Sequence, residues 1–285
     1  MDAEMINRMA LEQLMHGNFV QAQNLFKTNK KLYPDYRTYN NLGFFLYENG
    51  MDLKNGKTKS ATKLSQRYIQ KSIEMNATVI ALNNMGYISY ELGDFESAER
   101  YYGRSLTIKN DKDVQYNYAA SIYQLGQYQL ANTISLELAD YIEPATGLYV
   151  FSHIYANYGK KFEISVESIT NKLDEIDRML LYYLVEKYED VVKLAENIFN
   201  GWSLSEKEWA ILIDSLVKCE ETNKLYNLLK YNDDESEFLN KIINDDMLRR
   251  KIIDSYKFFP IQIACCDYFG CSVHNISWDY KNKAT

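Results

Sequence analysis

Glycines that recur at a nearly constant interval are the feature of this sequence that most restricts its fold. They are Gly17, Gly50, Gly93, Gly126 and Gly159, and successive members are 33, 43, 33 and 33 residues apart. A repeat of roughly 20 to 50 residues is typical of solenoids, in which each unit packs only against its neighbours. An insertion of about ten residues after Gly50 explains the one longer interval, so the repeat itself is preserved.

Each repeat has the pattern of two helices joined at its glycine, most clearly between Ala81 and Leu130. With only three prolines in 285 residues, helices are rarely interrupted, which predicts an all-α protein. Small residues in matching positions let paired helices approach closely, while larger neighbours fill the gaps. These small residues are Gly43, Gly86 and Ala119 in the first helices, and Ala22, Ala98 and Ala131 in the second helices.

This alternation of small and aromatic residues over residues 3–144 resembles the tetratricopeptide repeat family, whose units are helix–turn–helix pairs of about 34 residues. The tryptophan that the family favours early in the first helix is replaced in the four units by Ile6, Tyr39, Leu82 and Gln115. The resemblance implies a right-handed superhelical solenoid of antiparallel helix pairs, in which the first helices line a concave face.

The sequence predicts three regions. Residues 1–144 form four repeat units, with a basic loop inserted at about 51–64. Residues 145–232 keep helical apolar spacing but lose the strict signature, and we interpret them as degenerate repeats. In residues 233–285, a helix from Ser236 to Phe259 is expected to cap the solenoid before Pro260, and a short irregular tail follows it.

Three asparagines occupy equivalent positions in successive first helices. Asn41, Asn84 and Asn117 each stand two residues before the small Gly43, Gly86 and Ala119. An asparagine side chain both donates and accepts, so a line of them can hold the backbone of an extended peptide. The alternative is that they bond neighbouring helices and order the stack. The predicted partner-binding face consists of Asn7, Arg37, Asn40, Asn41, Asn83, Asn84, Tyr87, Tyr116 and Asn117.

Two further clusters admit a functional or a structural interpretation. The basic loop carries Lys54, Lys57, Lys59 and Lys63, which we interpret as a solvated loop, with contact to an acidic partner as the alternative. The tail contains Cys265, Cys266, Cys271 and His274. We favour buried thiols, because adjacent cysteines rarely ligate one ion. The alternatives are a zinc site and a reactive thiol.

The remaining patterns exclude several classes of protein. The sequence has no phosphate-binding loop, dinucleotide fingerprint, HExxH or GxSxG motif, so we predict no enzymatic activity and no cofactor. A net charge of −7 argues against general nucleic-acid binding. The N-terminus lacks the pattern of a signal peptide, and no apolar run is long enough for a membrane span, so we expect a cytoplasmic location.

The function predicted from the sequence is therefore a scaffold that binds a protein or peptide on its concave face, as an adaptor, co-chaperone or regulator. A peptide-responsive bacterial regulator or secretion chaperone is the first alternative. A zinc- or thiol-dependent activity of the tail is the second.

Overall fold

A computed structural model describes residues 1–52, 56–57, 59–157, 173–198, 204–221, 223–224, 227, 236–255, 257–263 and 268–279. The described part is α-helical except for one pair of two-residue strands, which confirms the predicted all-α fold. No helix within these ranges is both long enough and apolar enough to cross a bilayer.

Eight helices form four consecutive pairs in the first half of the chain. They are α1 (Ala3–Met15) with α2 (Phe19–Leu32), α3 (Tyr36–Asn49) with α4 (Lys59–Met75), α5 (Val79–Glu91) with α6 (Phe95–Ile108), and α7 (Lys112–Gln124) with α8 (Tyr128–Leu138). Each helix packs mainly against the helices before and after it in the chain. The first helices α3, α5 and α7 also touch one another, so equivalent positions on them lie side by side.

The turn glycines Gly17, Gly93 and Gly126 have positive φ angles of 74°, 77° and 79°. At Gly93 the amide donates to the carbonyl of Tyr90, and the next amide, of Asp94, donates to the carbonyl of Ser89. This pair of bonds satisfies the last carbonyls of the helix and requires the left-handed backbone that glycine adopts most easily. No other atom lies within 4 Å of a Cβ placed at these three glycines, so conformation rather than space selects them.

The small residues inside the helices mark where paired helices touch. A Cβ built on Gly86 of α5 would lie 2.7 Å from the ring of Tyr102 in α6. A Cβ on Gly43 of α3 would lie equally close to the side chain of Ile69 in α4. The predicted close approach of the helices is therefore confirmed at these two crossings.

The insertion after Gly50 is shorter than predicted. Strand β1 (Met51–Asp52) pairs antiparallel with β2 (Gly56–Lys57), and α4 already begins at Lys59 rather than near Leu64. The five residues from Lys59 to Lys63 contain no glycine or proline, so they extend the helix towards its N-terminus. Residues 53–55 and 58, and the side chains of 51–59, lie outside the described part.

Six further helices are described after the fourth pair. They are α9 (Glu143–Ala156), α10 (Glu175–Leu184), α11 (Tyr188–Ile198), α12 (Glu206–Lys218), α13 (Ser236–Asn244) and α14 (Asp246–Asp254). The predicted fifth turn at Gly159 lies outside the described residues. The helix expected from Ser236 to Phe259 is instead α13 and α14, because the carboxylate of Asp245 accepts the amide of Leu248 and starts a new helix.

Glutamates replace glycine at the turns of the degenerate repeats. Glu186 and Glu220 have φ angles of 61° and 59°, and their turns form the same two hydrogen bonds as the turn at Gly93. They lie 34 residues apart, so the repeat continues although its glycine is lost.

Contacts divide the chain into two compact units. The first comprises Met1–Leu138 together with Ile261–Thr285, and the second comprises Ala139–Pro260. This division differs from the predicted regions, since α13 and α14 join the degenerate repeats and the tail joins the first four pairs. We use "C-terminal segment" for the described tail residues 261–263 and 268–279.

A buried ion pair ties α12 to α14 in the second unit. Asp214, 4% exposed, accepts from Nε of Arg249 at 3.0 Å, and Arg249 is 3% exposed. Tyr183 and Lys218 also contact the Asp214 carboxylate, at 2.8 and 3.1 Å. Burial alone would raise the pKa of Asp214, but the hydrogen bonds from Tyr183, Arg249 and Lys218 outweigh it and hold the pKa below its ordinary value.

Candidate functional site: the asparagine series and the C-terminal segment

The asparagine series is buried, and two of its members, Asn41 and Asn117, contact the C-terminal segment together with Asn7. Asn7 of α1, Asn41 of α3 and Asn117 of α7 are all 1% exposed or less. A buried amide must find hydrogen-bond partners, because leaving it unpaired is costly. For these three residues the partners include the backbone of residues 263 and 269.

The side chain of Asn117 forms hydrogen bonds with both backbone groups of Ile263. The amide of Ile263 donates to Oδ1 of Asn117 at 2.8 Å, and Nδ2 of Asn117 donates to the carbonyl of Ile263 at 3.2 Å. A side-chain amide that pairs with the N–H and C=O of one residue imitates a neighbouring β-strand. The contact fixes the direction of the bound backbone without depending on its side chain.

Asn41 holds Phe269 in the same way, with Asn7 as an additional donor. The amide of Phe269 donates to Oδ1 of Asn41 at 2.9 Å, and Nδ2 of Asn41 donates to the carbonyl of Phe269 at 2.9 Å. Nδ2 of Asn7 reaches the same carbonyl at 2.7 Å, and its Oδ1 accepts from Asn41 at 2.7 Å. Two first helices therefore share one backbone residue of the C-terminal segment.

The buried amides also bond one another across the first helices. Nδ2 of Asn84 donates to Oδ1 of Asn40 at 2.9 Å, and Nδ2 of Asn40 donates to Oδ1 of Asn41 at 3.1 Å. Together with the bond from Asn41 to Asn7, this network joins α1, α3 and α5. Such connected amides orient each other, so the acceptor and donor presented to Phe269 are preset.

Aromatic contacts fix the two neighbouring side chains of the segment. Phe269 is fully buried beside Ile80 and Trp278, and its ring meets Tyr36 edge to face at 5.4 Å. Tyr268 stacks on Phe26, with ring centroids 5.8 Å apart, and belongs to the main core of the first three helix pairs. Consecutive residues of the segment therefore enter two different apolar clusters.

Gly270 allows the backbone to turn directly beside Asn7. Its φ is 77°, and a Cβ built there would lie 2.8 Å from Nδ2 of Asn7. Both the backbone conformation and the close approach of the Asn7 side chain favour glycine at this position. The turn continues through Cys271, whose carbonyl accepts the amide of Ile276 at 2.9 Å.

Charged and polar side chains contact both ends of the segment. The guanidinium of Arg37 lies 4.7 Å from the Trp278 ring centroid and 3.0 Å from a carboxylate oxygen of Asp279. Burial would lower the pKa of Arg37, but its hydrogen bond to Asp35 and the nearby negative charges leave that pKa above its ordinary value. At the other end, the Gln262 side chain donates to the carbonyl of Tyr87 and accepts the hydroxyl of Tyr102.

Comparison with known proteins agrees with this architecture. A profile of the tetratricopeptide repeat matches residues 78–110, which span α5 and α6. One similar solved structure is the crystal structure of a tetratricopeptide repeat protein from Parabacteroides merdae, with a TM-score of 0.60 and 16% identity. The alignment covers 85% of this chain and 99% of that chain. The chain therefore has the fold of a tetratricopeptide-repeat solenoid, and residues 78–110 match the repeat itself. No curated protein matches its sequence.

The structure brings most of the predicted partner-binding residues to one place. Asn7, Arg37, Asn41 and Asn117 contact the C-terminal segment through side chains, and Tyr87 contacts it through its carbonyl. Asn40 and Asn84 belong to the amide network, while Asn83 and Tyr116 are buried in the same helices. Binding of a separate partner by these residues stays a prediction.

The tail cysteines are only partly described. Cys265 and Cys266 lie outside the described residues. Cys271 is a buried free thiol in the main core, and its Sγ lies 3.4 Å from Nδ1 of His274. Within the described ranges, no three His, Cys, Asp or Glu residues form a group that could hold a metal ion.

Sequence reasoning missed the functional residues of the tail itself. Ile263, Tyr268, Phe269, Gly270 and Trp278 all contact the repeats. The available signal was a stretch rich in aromatic residues and free of charge from Tyr268 to Trp278, outside the repeat pattern. Such a stretch needs an apolar surface to cover it.

Proposed function

We propose that this protein is a non-enzymatic scaffold that binds a segment of another protein on the first helices of its four amino-terminal repeats. Tetratricopeptide repeats generally mediate contacts between proteins. The observation that carries the proposal is the pairing of Asn41 and Asn117 with both backbone groups of one residue each. We call the surface formed by these helices around the C-terminal segment "the groove".

The groove suits an extended polypeptide for a physical reason. Backbone pairing by side-chain amides supplies affinity that does not depend on sequence, whereas apolar pockets between the amides select side chains. The amide network orients Asn41 before any ligand arrives, so little of the binding free energy is lost in ordering the scaffold. An adaptor, co-chaperone or regulator in the cytoplasm is the role that we propose for such a groove.

The test compares partners captured by the full-length protein and by groove variants from a lysate of the source organism. Asn41→Ala combined with Asn117→Ala removes both backbone clamps, and Gln129→Ala on the exposed face of α8 is the matched control. We expect a partner that wild type and control retain and that the double variant loses, with unchanged helical circular dichroism. If every captured protein is retained equally by the double variant, the groove is not the binding surface.

A further inference from the structure

We propose that the C-terminal segment is a built-in competitor for the groove, and that the external ligand is a segment without helix or strand that carries two adjacent aromatic residues followed by glycine in a turn. The inference rests on the proposed function, because it names the ligand class and the regulation of the same groove. It is drawn from three properties of the contact between the segment and the repeats.

The repeats bind the segment through the kind of contacts that would bind a separate ligand. Its described residues form turns and irregular backbone, with no helix or strand, and no ladder of backbone hydrogen bonds joins them to the repeats. Side-chain amides hold it instead, at Ile263 and at Phe269. Donors and acceptors of this kind serve any extended backbone that reaches the same position, including one from another protein.

The groove contacts the side chains of two successive residues of the segment. Phe269 occupies a site formed with Tyr36 and Ile80, while Tyr268 lies between Phe26 and Phe44, with ring centroids 5.8 and 5.2 Å away. Tyr268 and Phe269 begin a turn that is closed by a hydrogen bond from the amide of Cys271 to the carbonyl of Tyr268. In this turn the two adjacent side chains enter the two clusters, so a pair of adjacent large side chains fills both. Aromatic residues fit best because every ring contact here is edge-to-face or offset stacking.

The position after the aromatic pair strongly favours glycine. Gly270 combines a φ of 77° with a gap too small for a Cβ beside Asn7. A ligand with a side chain at this position would displace Asn7 from the carbonyl of Phe269, to which it donates at 2.7 Å. The groove therefore selects the order aromatic, aromatic, glycine.

The far end of the segment is held in a way that permits release. Asp279 is 76% exposed at its contact with Arg37, so water and salt screen this ion pair. The turn at Ser272, Val273, His274 and Asn275 is exposed as well. A competing ligand can therefore begin to replace the segment from this end, and the buried Trp278 must be released next.

The experiment measures binding of a fluorescent synthetic peptide with the sequence of residues 260–279 to full-length protein under reducing conditions. The host is the variant Phe269→Ala with Trp278→Ala, whose own segment is weakened. We expect the peptide to bind this variant at least about tenfold more tightly than wild type, in which the intact segment competes. Adding Asn41→Ala to the host should weaken binding at least about 30-fold, because hydrogen bonds to the peptide backbone are lost and a buried amide is left without an acceptor.

Two control peptides test the ligand class. One carries Gly270→Val and the other replaces both aromatic residues by alanine; both should bind at least about tenfold more weakly than the parent peptide. Absence of binding to a folded host overturns the proposal, as does binding that neither Asn41→Ala nor Gly270→Val changes. A host that assembles into dimers instead of binding the peptide also overturns it, since the occupant is then a second copy.

Loss of folding in the host is itself informative. If Phe269→Ala with Trp278→Ala melts the repeats, the titration is repeated with full-length Gly270→Val, which displaces the segment without removing any apolar side chain. If that variant also melts or binds no peptide, the segment is a structural part of the repeats and the proposal fails. The titrations use a synthetic peptide, whereas the test of the proposed function uses partners captured from a lysate. Failure of the peptide to bind is therefore distinguishable from failure to capture a partner that depends on Asn41 and Asn117.

Discussion

Replacing Asn41 by alanine isolates the contribution of one backbone clamp. The substitution removes the acceptor for the amide of Phe269 and one of the two donors to its carbonyl, while Asn7 remains as the other donor. It also removes the partner of Asn7 Oδ1 within the network. Since Phe269 is fully buried, its amide loses a partner in a place that water does not reach.

The magnitude follows from these losses. A buried donor left without its partner costs about 1 to 3 kcal/mol, and each further hydrogen bond lost costs about 1 kcal/mol. We therefore expect docking of the C-terminal segment to weaken by about 2 to 4 kcal/mol. The opening equilibrium of the segment should rise by roughly 30- to 1,000-fold, because each 1.4 kcal/mol corresponds to about a factor of ten.

Hydrogen exchange followed by mass spectrometry measures this change. Peptic fragments that contain Phe269 should exchange faster in Asn41→Ala by that factor, whereas fragments of α6 and α8 should exchange as in wild type. Gln129→Ala is the control, since it removes an exposed side chain of α8 without touching the segment. Unchanged exchange at Phe269, or equal acceleration throughout the first unit, would refute the reasoning.

Three further predictions concern stability. Gly93 and Glu186 both lie at a left-handed helix cap, a conformation that glycine adopts most easily. Gly93→Ala should therefore lower the free energy of unfolding by about 1 kcal/mol, and Glu186→Gly should raise it by up to about 1 kcal/mol. Urea titration measures both changes. Gly86→Ala should cost about 1 to 3 kcal/mol in the same titration through its clash with the Tyr102 ring, and an unchanged midpoint would contradict the close crossing. Asp214→Asn should cost about 1.5 to 3 kcal/mol at pH 7, because Arg249 loses its buried carboxylate partner and keeps the exposed Asp246 as an ionic partner. The pKa of Asp214 is lower in the folded protein than in the unfolded chain, where it is about 3.9. The stabilisation by its carboxylate is therefore present above the unfolded pKa and is lost as pH falls through the folded pKa. The melting temperature of Asp214→Asn should consequently depend less on pH below about 5 than that of wild type.

Local patterns in the sequence predicted the repeat architecture well. The glycine spacing identified the turns at Gly17, Gly93 and Gly126, because a left-handed cap restricts residue type strongly. The small residues predicted the helix crossings at Gly43 and Gly86 for a similar reason. Each of these features is decided by neighbours within one repeat, so one sequence is enough to find it.

Other features depended on contacts that a local pattern does not contain. Glu186 and Glu220 adopt the turn conformation of glycine because the surrounding helix pair imposes it, so residue type gave no signal. The break at Asp245 depended on a capping bond that competed with an otherwise continuous helical pattern.

The location of the C-terminal segment was the most important feature that the sequence did not predict. Asn41 and Phe269 are separated by 228 residues, and periodicity says nothing about pairing over such a distance. The equivalence of Asn41, Asn84 and Asn117 nevertheless identified two of the amides that bond the backbone of the segment, Asn41 and Asn117. What the sequence did not reveal was that the backbone held by two of them belongs to the same chain.

Photo-crosslinking from position 268 tests most directly whether the C-terminal segment occupies the groove. Tyr268 of the full-length protein is replaced by p-benzoylphenylalanine, the monomer is irradiated, and crosslinked peptides are identified by mass spectrometry. Contacts of Tyr268 with Phe26 and Phe44 predict intramolecular crosslinks to α2 and α3, and excess peptide of residues 260–279 should reduce their yield. Crosslinks confined to residues 139–260, or none within the chain, would contradict the account.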